Sequence, residues 1–251
     1  MKDIMNLIKT KSFELAIYSK GNSESKKIAL VLPGKLDTKD YANMRSHVNL
    51  LASLGYYAIS FDPPGTWESP GDISIYTMTN YLKSINELIE HFGCRPTFVM
   101  GHSRGGTMAI LSGITNSNIN AYAAICSGFV SGIDEKDKKW EKDGFRIFNY
   151  DLPPGGGAKV KEFKLPYSFQ EDAKQYEVIS GLKISTKPKL FILSLKDEIT
   201  DPDTIRKMYK VASDPKELKE INYGHDYRLS SEIIDEVNKI IKDFLEKYEL
   251  T

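Results

Sequence analysis

The chain has 251 residues, 41% of them hydrophobic and 27% charged, a balance that supports one sizeable core and argues against a disordered chain. Thirty-four basic residues offset thirty-four acidic ones, so no global field draws the protein to nucleic acid or to an anionic membrane surface. The two cysteines, Cys94 and Cys126, are too few for a secreted disulfide framework.

The opening residues, Met1 to Asn6, carry no uninterrupted apolar run of the kind a secretory leader needs. No segment approaches the length of a membrane span. A cytoplasmic protein is expected, with no nucleic-acid and no membrane partner.

Phe13 to Tyr18 alternates apolar and polar residues and reads as a half-exposed strand. Lys27 to Leu32 is a continuous apolar run, as expected for a strand covered on both faces of a parallel sheet, and Pro33-Gly34 ends it. A helix is predicted from Tyr41 to Leu54, stopped by Gly55. Tyr56 to Phe61 is the next strand. Tyr81, Leu82, Ile85, Leu88, Ile89 and Phe92 form one apolar helical stripe, closed by Gly93. A strand over Thr97 to Gly101, a helix and a strand over Ala121 to Cys126 follow. Cys94 and Cys126 are both expected to be buried as small hydrophobes. Strands alternating with helices at this spacing imply an α/β fold, a mostly parallel sheet with helices on both faces.

The alternation stops from 129 to 186. That stretch holds Trp140, Phe145, Phe148, Tyr150, Phe163, Tyr167, Phe169 and Tyr176 around Pro153-Pro154-Gly155-Gly156-Gly157. It is too aromatic for a linker and too irregular for another strand-helix unit. We read it as a cap folded over the sheet edge, with 1–128 and 187–251 forming the core. Lys189 to Ser194 resumes the sheet. Asp201-Pro202 opens a helix, Asp as N-cap and Pro in the first turn. Leu218 to Ile221 is a short strand, and Ile233 to Leu245 a last amphipathic helix.

Gly101-His102-Ser103-Arg104-Gly105-Gly106 sits where a strand runs directly into a helix. Only small residues fit such a turn, which holds Ser103 in a strained conformation with its hydroxyl above the sheet. The helix N-terminus then faces developing negative charge. A serine nucleophile needs a base, and the base needs an orienting acid. Of the four histidines, His47 and His91 lie within helices and His102 diverges from its neighbour at the turn. His225, in the loop between the last strand and last helix, emerges at the same sheet edge as Ser103. Asp197 leaves the preceding strand at that edge and is the expected acid. Asp201 is better explained as a helix cap and Glu198 as a solvated charge. The oxyanion donors are expected to be the backbone N–H of Arg104 and that of Lys35, with Leu36 the second choice. The Lys35 ammonium is expected in water. Trp67 either walls a pocket or staples its loop. The Arg104 side chain either takes a substrate carboxylate or, by preference, an internal salt bridge. Leu36, Trp67, Trp140 and Phe148 are candidate pocket residues.

With this pentapeptide, Asp197 and His225 in that chain order, the sequence resembles the α/β-hydrolase superfamily, from Lys27 to the last helix. The resemblance implies nucleophile, acid and base roles for Ser103, Asp197 and His225, and a cap over 129–186. Pro33-Gly34 stands where many members have His-Gly. Gly65-Thr66-Trp67-Glu68-Ser69 replaces the common Gly-x-Gly-x-Ser, with Trp67 at the second glycine's place.

The expected activity is cleavage of a carboxylic ester or thioester through an acyl-enzyme. A peptidase, an amidase, an acyltransferase and a hydrolase-like binding protein are the alternatives. Ser103 excludes the aspartate-nucleophile dehalogenases and epoxide hydrolases. No phosphate-cradling loop, thiolate cluster or H-x-x-x-H pattern occurs, so neither metal nor organic cofactor is expected. The partner would be a small acyl substrate, and the protein a monomer or small homo-oligomer.

Overall fold

The computed structural model describes residues 6–128 and 135–250. The first residues of the expected cap, 129–134, lie outside the described residues. In chain order the elements are β1 (Leu7–Lys9), β2 (Glu14–Lys20), β3 (Ile28–Leu32), α1 (Ala42–Ser53), β4 (Tyr57–Phe61), α2 (Met78–His91), β5 (Thr97–His102), α3 (Arg104–Thr115) and β6 (Ile119–Ile125). There follow α4 (Glu135–Asp143), β7 (Phe145–Asp151), β8 (Val160–Pro166), α5 (Ser168–Ala173), α6 (Ile179–Ile184), β9 (Lys189–Ser194), α7 (Pro202–Val211), β10 (Lys216–Ile221) and α8 (Ser231–Lys247).

Eight strands form one sheet in the order β1-β2-β4-β3-β5-β6-β9-β10. β1 and β2 run antiparallel to their neighbours, and every pairing from β4 across to β10 is parallel. The central strands β3, β5, β6 and β9 are buried almost throughout, because helices cover both faces. The period of two sorts their side chains. Leu30, Val99, Ala124 and Phe191 join the layer packed with Tyr81, Ile85, Leu88 and Ile205 from α2 and α7. Val31, Met100, Ala123 and Ile192 face α1 and α8 through Met44, Val48, Leu51, Val237 and Ile241.

Between β6 and β9 the chain leaves the sheet. β7 and β8 pair as an antiparallel hairpin, and α4, α5 and α6 are short. The aromatic content has a direct structural reason. Trp140 packs edge-on against Phe148 and stacks on Phe169, which stacks on Tyr76 of the body. Trp140 Nε1–H donates to the Leu165 carbonyl at 3.1 Å. The hairpin is tied down elsewhere by Arg228, whose two terminal nitrogens each donate to an Asp151 carboxylate oxygen at 2.9 Å.

Two expectations are corrected. Cys94 is exposed, not buried. It follows the Gly93 terminator of α2 with φ 54°, and this left-handed step carries the thiol to the surface. Cys126 is buried as expected but lies one residue beyond β6, also left-handed at φ 48°. The short edge strand β1 has no counterpart in the sequence pattern.

Candidate active site

Four of the loops that leave parallel strands at one sheet edge each hold a non-glycine residue with positive φ. These are Leu36 (59°) after β3, Trp67 (45°) after β4, Ser103 (51°) after β5 and Cys126 after β6. Such residues cost about 1–3 kcal/mol each and persist only where packing over-determines them. At Ser103 the determinants are visible. Its N–H donates to the Ile125 carbonyl at 2.9 Å, and its carbonyl accepts from Gly106 and Thr107 as α3 begins. Gly105 lets α3 start in contact with β3: a Cβ there would stand 2.1 Å from the Leu32 carbonyl oxygen.

The loop after β10 brings His225 to this serine. The Ser103 hydroxyl donates to His225 Nε2 at 2.9 Å. On the far side of the ring, His225 Nδ1–H is shared by the two Asp197 oxygens, each at 2.9 Å. The His225 and Asp197 side chains are 4% and 1% exposed. Burial pushes the Asp197 carboxyl up, but the His225 N–H and the Thr200 and Ile199 amides outweigh it and hold the group below the usual carboxylate range. Asp197 is therefore ionised, and the tautomer of His225 is dictated: proton on Nδ1, lone pair on Nε2.

Several neighbours of this cluster escaped the sequence reading. Glu198 is exposed to solvent as expected, but its Oε2 also accepts the His225 backbone N–H at 3.0 Å. Cys126 is more than packing. Its thiol lies against Asp197, and burial together with that carboxylate pushes the thiol well up, so it stays protonated. His102 does turn away from the serine, yet it supports the histidine. Its Nε2–H donates to the His225 carbonyl at 3.0 Å, and the two rings lie 4.8 Å apart. His102 Nδ1 is 3.5 Å from Asp37 Oδ2. Asp37 is buried beside Ser103, close enough that a Cβ on Gly34 would meet its Oδ2 at 2.4 Å and Ser103 Cβ at 3.4 Å. Behind His102, the Tyr227 ring packs edge-on at 5.2 Å and its hydroxyl bonds His47 Nε2 at 2.8 Å. Burial pulls His47 down to about 4, so it is neutral. The only sequence cue to His102 was its adjacency to Ser103; the others gave none.

The amides expected to donate to an oxyanion lie at the start of α3 and in the loop after β3. The Leu36 N–H donates to the Tyr76 hydroxyl at 3.3 Å, which engages the second-choice amide. Leu36 is also fully buried and belongs to the core, not to a pocket wall. Its carbonyl accepts Trp67 Nε1–H at 2.7 Å. Trp67 packs edge-on against Tyr41 and Phe163, so it staples the loop. Trp140 is a buried organiser of the insertion. Phe148 carries the Lys35 ammonium over its ring at 4.5 Å, which corrects the expectation of a lysine in water and links the loop after β3 to the hairpin. Arg104 forms no salt bridge with any described residue. Its Nη1 lies 3.1 Å from Met78 Sδ, and its Cζ stands 5.7 Å from the Phe169 ring centre. Asp201 does cap α7, accepting the Asp203 N–H. Two surface clefts of about 400 and 340 Å³ lie elsewhere, one beside Lys83 and Glu87 and one at the opposite sheet edge beside Thr97 and Leu250. Among the described residues no three His, Cys, Asp or Glu side chains converge as metal ligands, and no helix is long and apolar enough to cross a membrane.

A family model described as the alpha/beta hydrolase fold matches residues 30–152. Among curated proteins, the mouse (Mus musculus) mitochondrial palmitoyl-protein thioesterase ABHD10 is 22% identical over 174 residues, which span 68% of this chain and 58% of that protein. Mouse ABHD10 is also a structural neighbour, with TM-score 0.77 and 19% identity over 98% of this chain and 99% of that one. Est1E from Butyrivibrio proteoclasticus, solved with ferulic acid, superposes with TM-score 0.76 and 18% identity over 96% and 98% of the two chains. Sheet order, strand-to-helix elbow, family model and neighbours agree: the chain has the α/β-hydrolase fold.

Proposed function

We propose that the protein is a serine hydrolase that cleaves carboxylic esters or thioesters through an acyl-enzyme on Ser103. One observation carries this reading: the unbroken 2.9 Å relay from Ser103 Oγ through both nitrogens of His225 to ionised Asp197. As Ser103 attacks the acyl carbon, its proton passes to His225 Nε2, and Asp197 stabilises the imidazolium that forms. The oxyanion falls between the Arg104 N–H at the start of α3 and the Lys35 N–H, which we assign because the Leu36 amide is engaged by Tyr76. His225 then returns the proton to the leaving oxygen or sulfur. It next activates water on the opposite half of the cycle. The esterase Est1E and the thioesterase ABHD10 among the similar proteins agree with ester and thioester chemistry. The two cysteines are free thiols, which favours a reducing compartment such as the cytoplasm.

A fluorophosphonate probe should label the protein at Ser103 and fail on Ser103→Ala. Asp197→Asn should label slowly and lose roughly 10⁴ in turnover, since an amide cannot hold the required tautomer. Saturated p-nitrophenyl esters should be hydrolysed and aminoacyl anilides should not. Folded protein that takes no label would point to a binding module instead.

A further inference from the structure

Among the described residues, Arg104 is a half-buried cation without an anion. Its guanidinium has five N–H donors, and the polar contact it makes is with the weakly accepting Met78 sulfur. Burial pulls it below its ordinary value, the Tyr76 hydroxyl pushes back, and no described carboxylate does so. The other buried acids near the site are committed elsewhere. Asp37 faces His102, Asp151 takes Arg228, and Asp62 receives Lys39 and Thr38. By contrast Arg206, on the surface, has two acidic partners. Keeping a charge in a desolvated place is costly unless something neutralises it. The Arg104 nitrogens are not among the buried polar atoms that lack a partner, so the N–H groups without a protein acceptor open onto accessible space.

The position of this space follows from the neighbours. Arg104 is the residue after the nucleophile, about 3.8 Å away along the backbone. Its side chain reaches toward Met78 of α2 and Phe169 of α5, with Tyr76 stacked 5.0 Å from Phe169. His225, which hands its proton to the leaving group, is surrounded by a different set: Asp197, Glu198, His102 and Tyr227. The guanidinium therefore serves the acyl side of the scissile bond. A planar carboxylate is the anion its fork fits in a bidentate manner.

Resting on the serine-hydrolase reading, we propose that Arg104 anchors a carboxylate at the far end of the acyl group, so that the preferred substrates are half-esters and thioesters of short dicarboxylic acids. The test compares the mono-p-nitrophenyl ester of adipic acid with p-nitrophenyl hexanoate, background rates subtracted. In the native protein kcat/KM should favour the carboxylate by about 10- to 100-fold, the range for hydrogen bonds to charged groups. Arg104→Met should collapse this ratio to near one or below, and Arg104→Lys should leave an intermediate ratio. Because the ratio is taken within one protein, any general loss of activity cancels. A native ratio at or below one overturns the inference, as does a ratio unchanged in Arg104→Met. Adipate should also slow fluorophosphonate labelling of the native protein more than hexanoate does, a readout that needs no variant; equal protection overturns the inference. If Ser103 is labelled but neither ester is turned over, this inference fails alone. If Ser103 takes no label, the hydrolase reading fails and this inference with it.

Discussion

Replacing Asp151 by Asn should loosen the hairpin of the insertion from the loop that carries His225. Asp151 ends β7, and Arg228 follows His225 by three residues. Two charge-assisted bonds of 2.9 Å join them, and the Tyr41 hydroxyl donates to the Asp151 carbonyl at 2.8 Å while its ring lies 4.2 Å from the Arg228 Cζ. The Arg228 and Asp151 side chains are only 7% and 16% exposed. Removing one partner of such a pair strands a desolvated cation, at about 3–5 kcal/mol. Asn keeps one acceptor oxygen, and Asp226 stands 3.7 Å from the same guanidinium, so the low end, about 3 kcal/mol, is expected. At roughly 2–4 °C per kcal/mol for a chain of this length, the melting temperature should fall by about 6–12 °C. The effect also has a pH signature. Burial pushes the Asp151 carboxyl up, but Arg228 and the Gly156 N–H outweigh it and hold it below its ordinary value. A depressed folded-state value means the stabilisation is present above the unfolded value, near pH 4, and is lost as pH falls through the folded one. The gap between native protein and Asp151→Asn should therefore close on acidification below about pH 4. Thermal unfolding of Asp151→Asn, Arg228→Met and the double variant measures the coupling. A coupling under about 0.5 kcal/mol, or a gap indifferent to acid, refutes the reasoning.

Gly105→Ala should destabilise the elbow by about 1–3 kcal/mol or more, because the added methyl meets the Leu32 carbonyl oxygen and neither β3 nor α3 can retreat cheaply; urea unfolding checks this, and a neutral result removes the packing argument. Lys189 is fully buried with its ammonium on the Ser185 and Ser213 carbonyls, and burial pulls it down to about 8. Between that value and the ordinary lysine range the unfolded chain binds more protons, so stability contributed by this residue rises with pH. The stability difference between native protein and Lys189→Met should grow by about 3 kcal/mol in favour of the native protein from pH 7 to pH 10.5, and a difference flat in pH would sink the assignment.

The parallel sheet could be read from composition alone. β3, β5 and β9 are runs of consecutive apolar residues, and only a strand covered on both faces tolerates them. The elbow was equally plain, since small residues around one serine between a strand and a helix have few other uses. His225 and Asp197 came from chain order and from the scarcity of histidine. What pattern could not reveal is which side chains from remote elements meet once the sheet has formed. Periodicity assigns a residue to a face, not to a partner. Leu36 lost its amide to Tyr76, Glu198 took the His225 N–H and the Cys126 thiol came to rest on Asp197 through contacts between residues 27 to 71 positions apart in the chain. Trp67 and Trp140 showed their roles only when the acceptors of their N–H groups appeared. β1 was missed because three residues on a sheet edge carry no usable period. Arg104 is the sharpest case: the chain has acids enough to pair it, and only the folded arrangement left the described ones elsewhere, because pairing depends on distance in space, which a one-dimensional pattern does not contain.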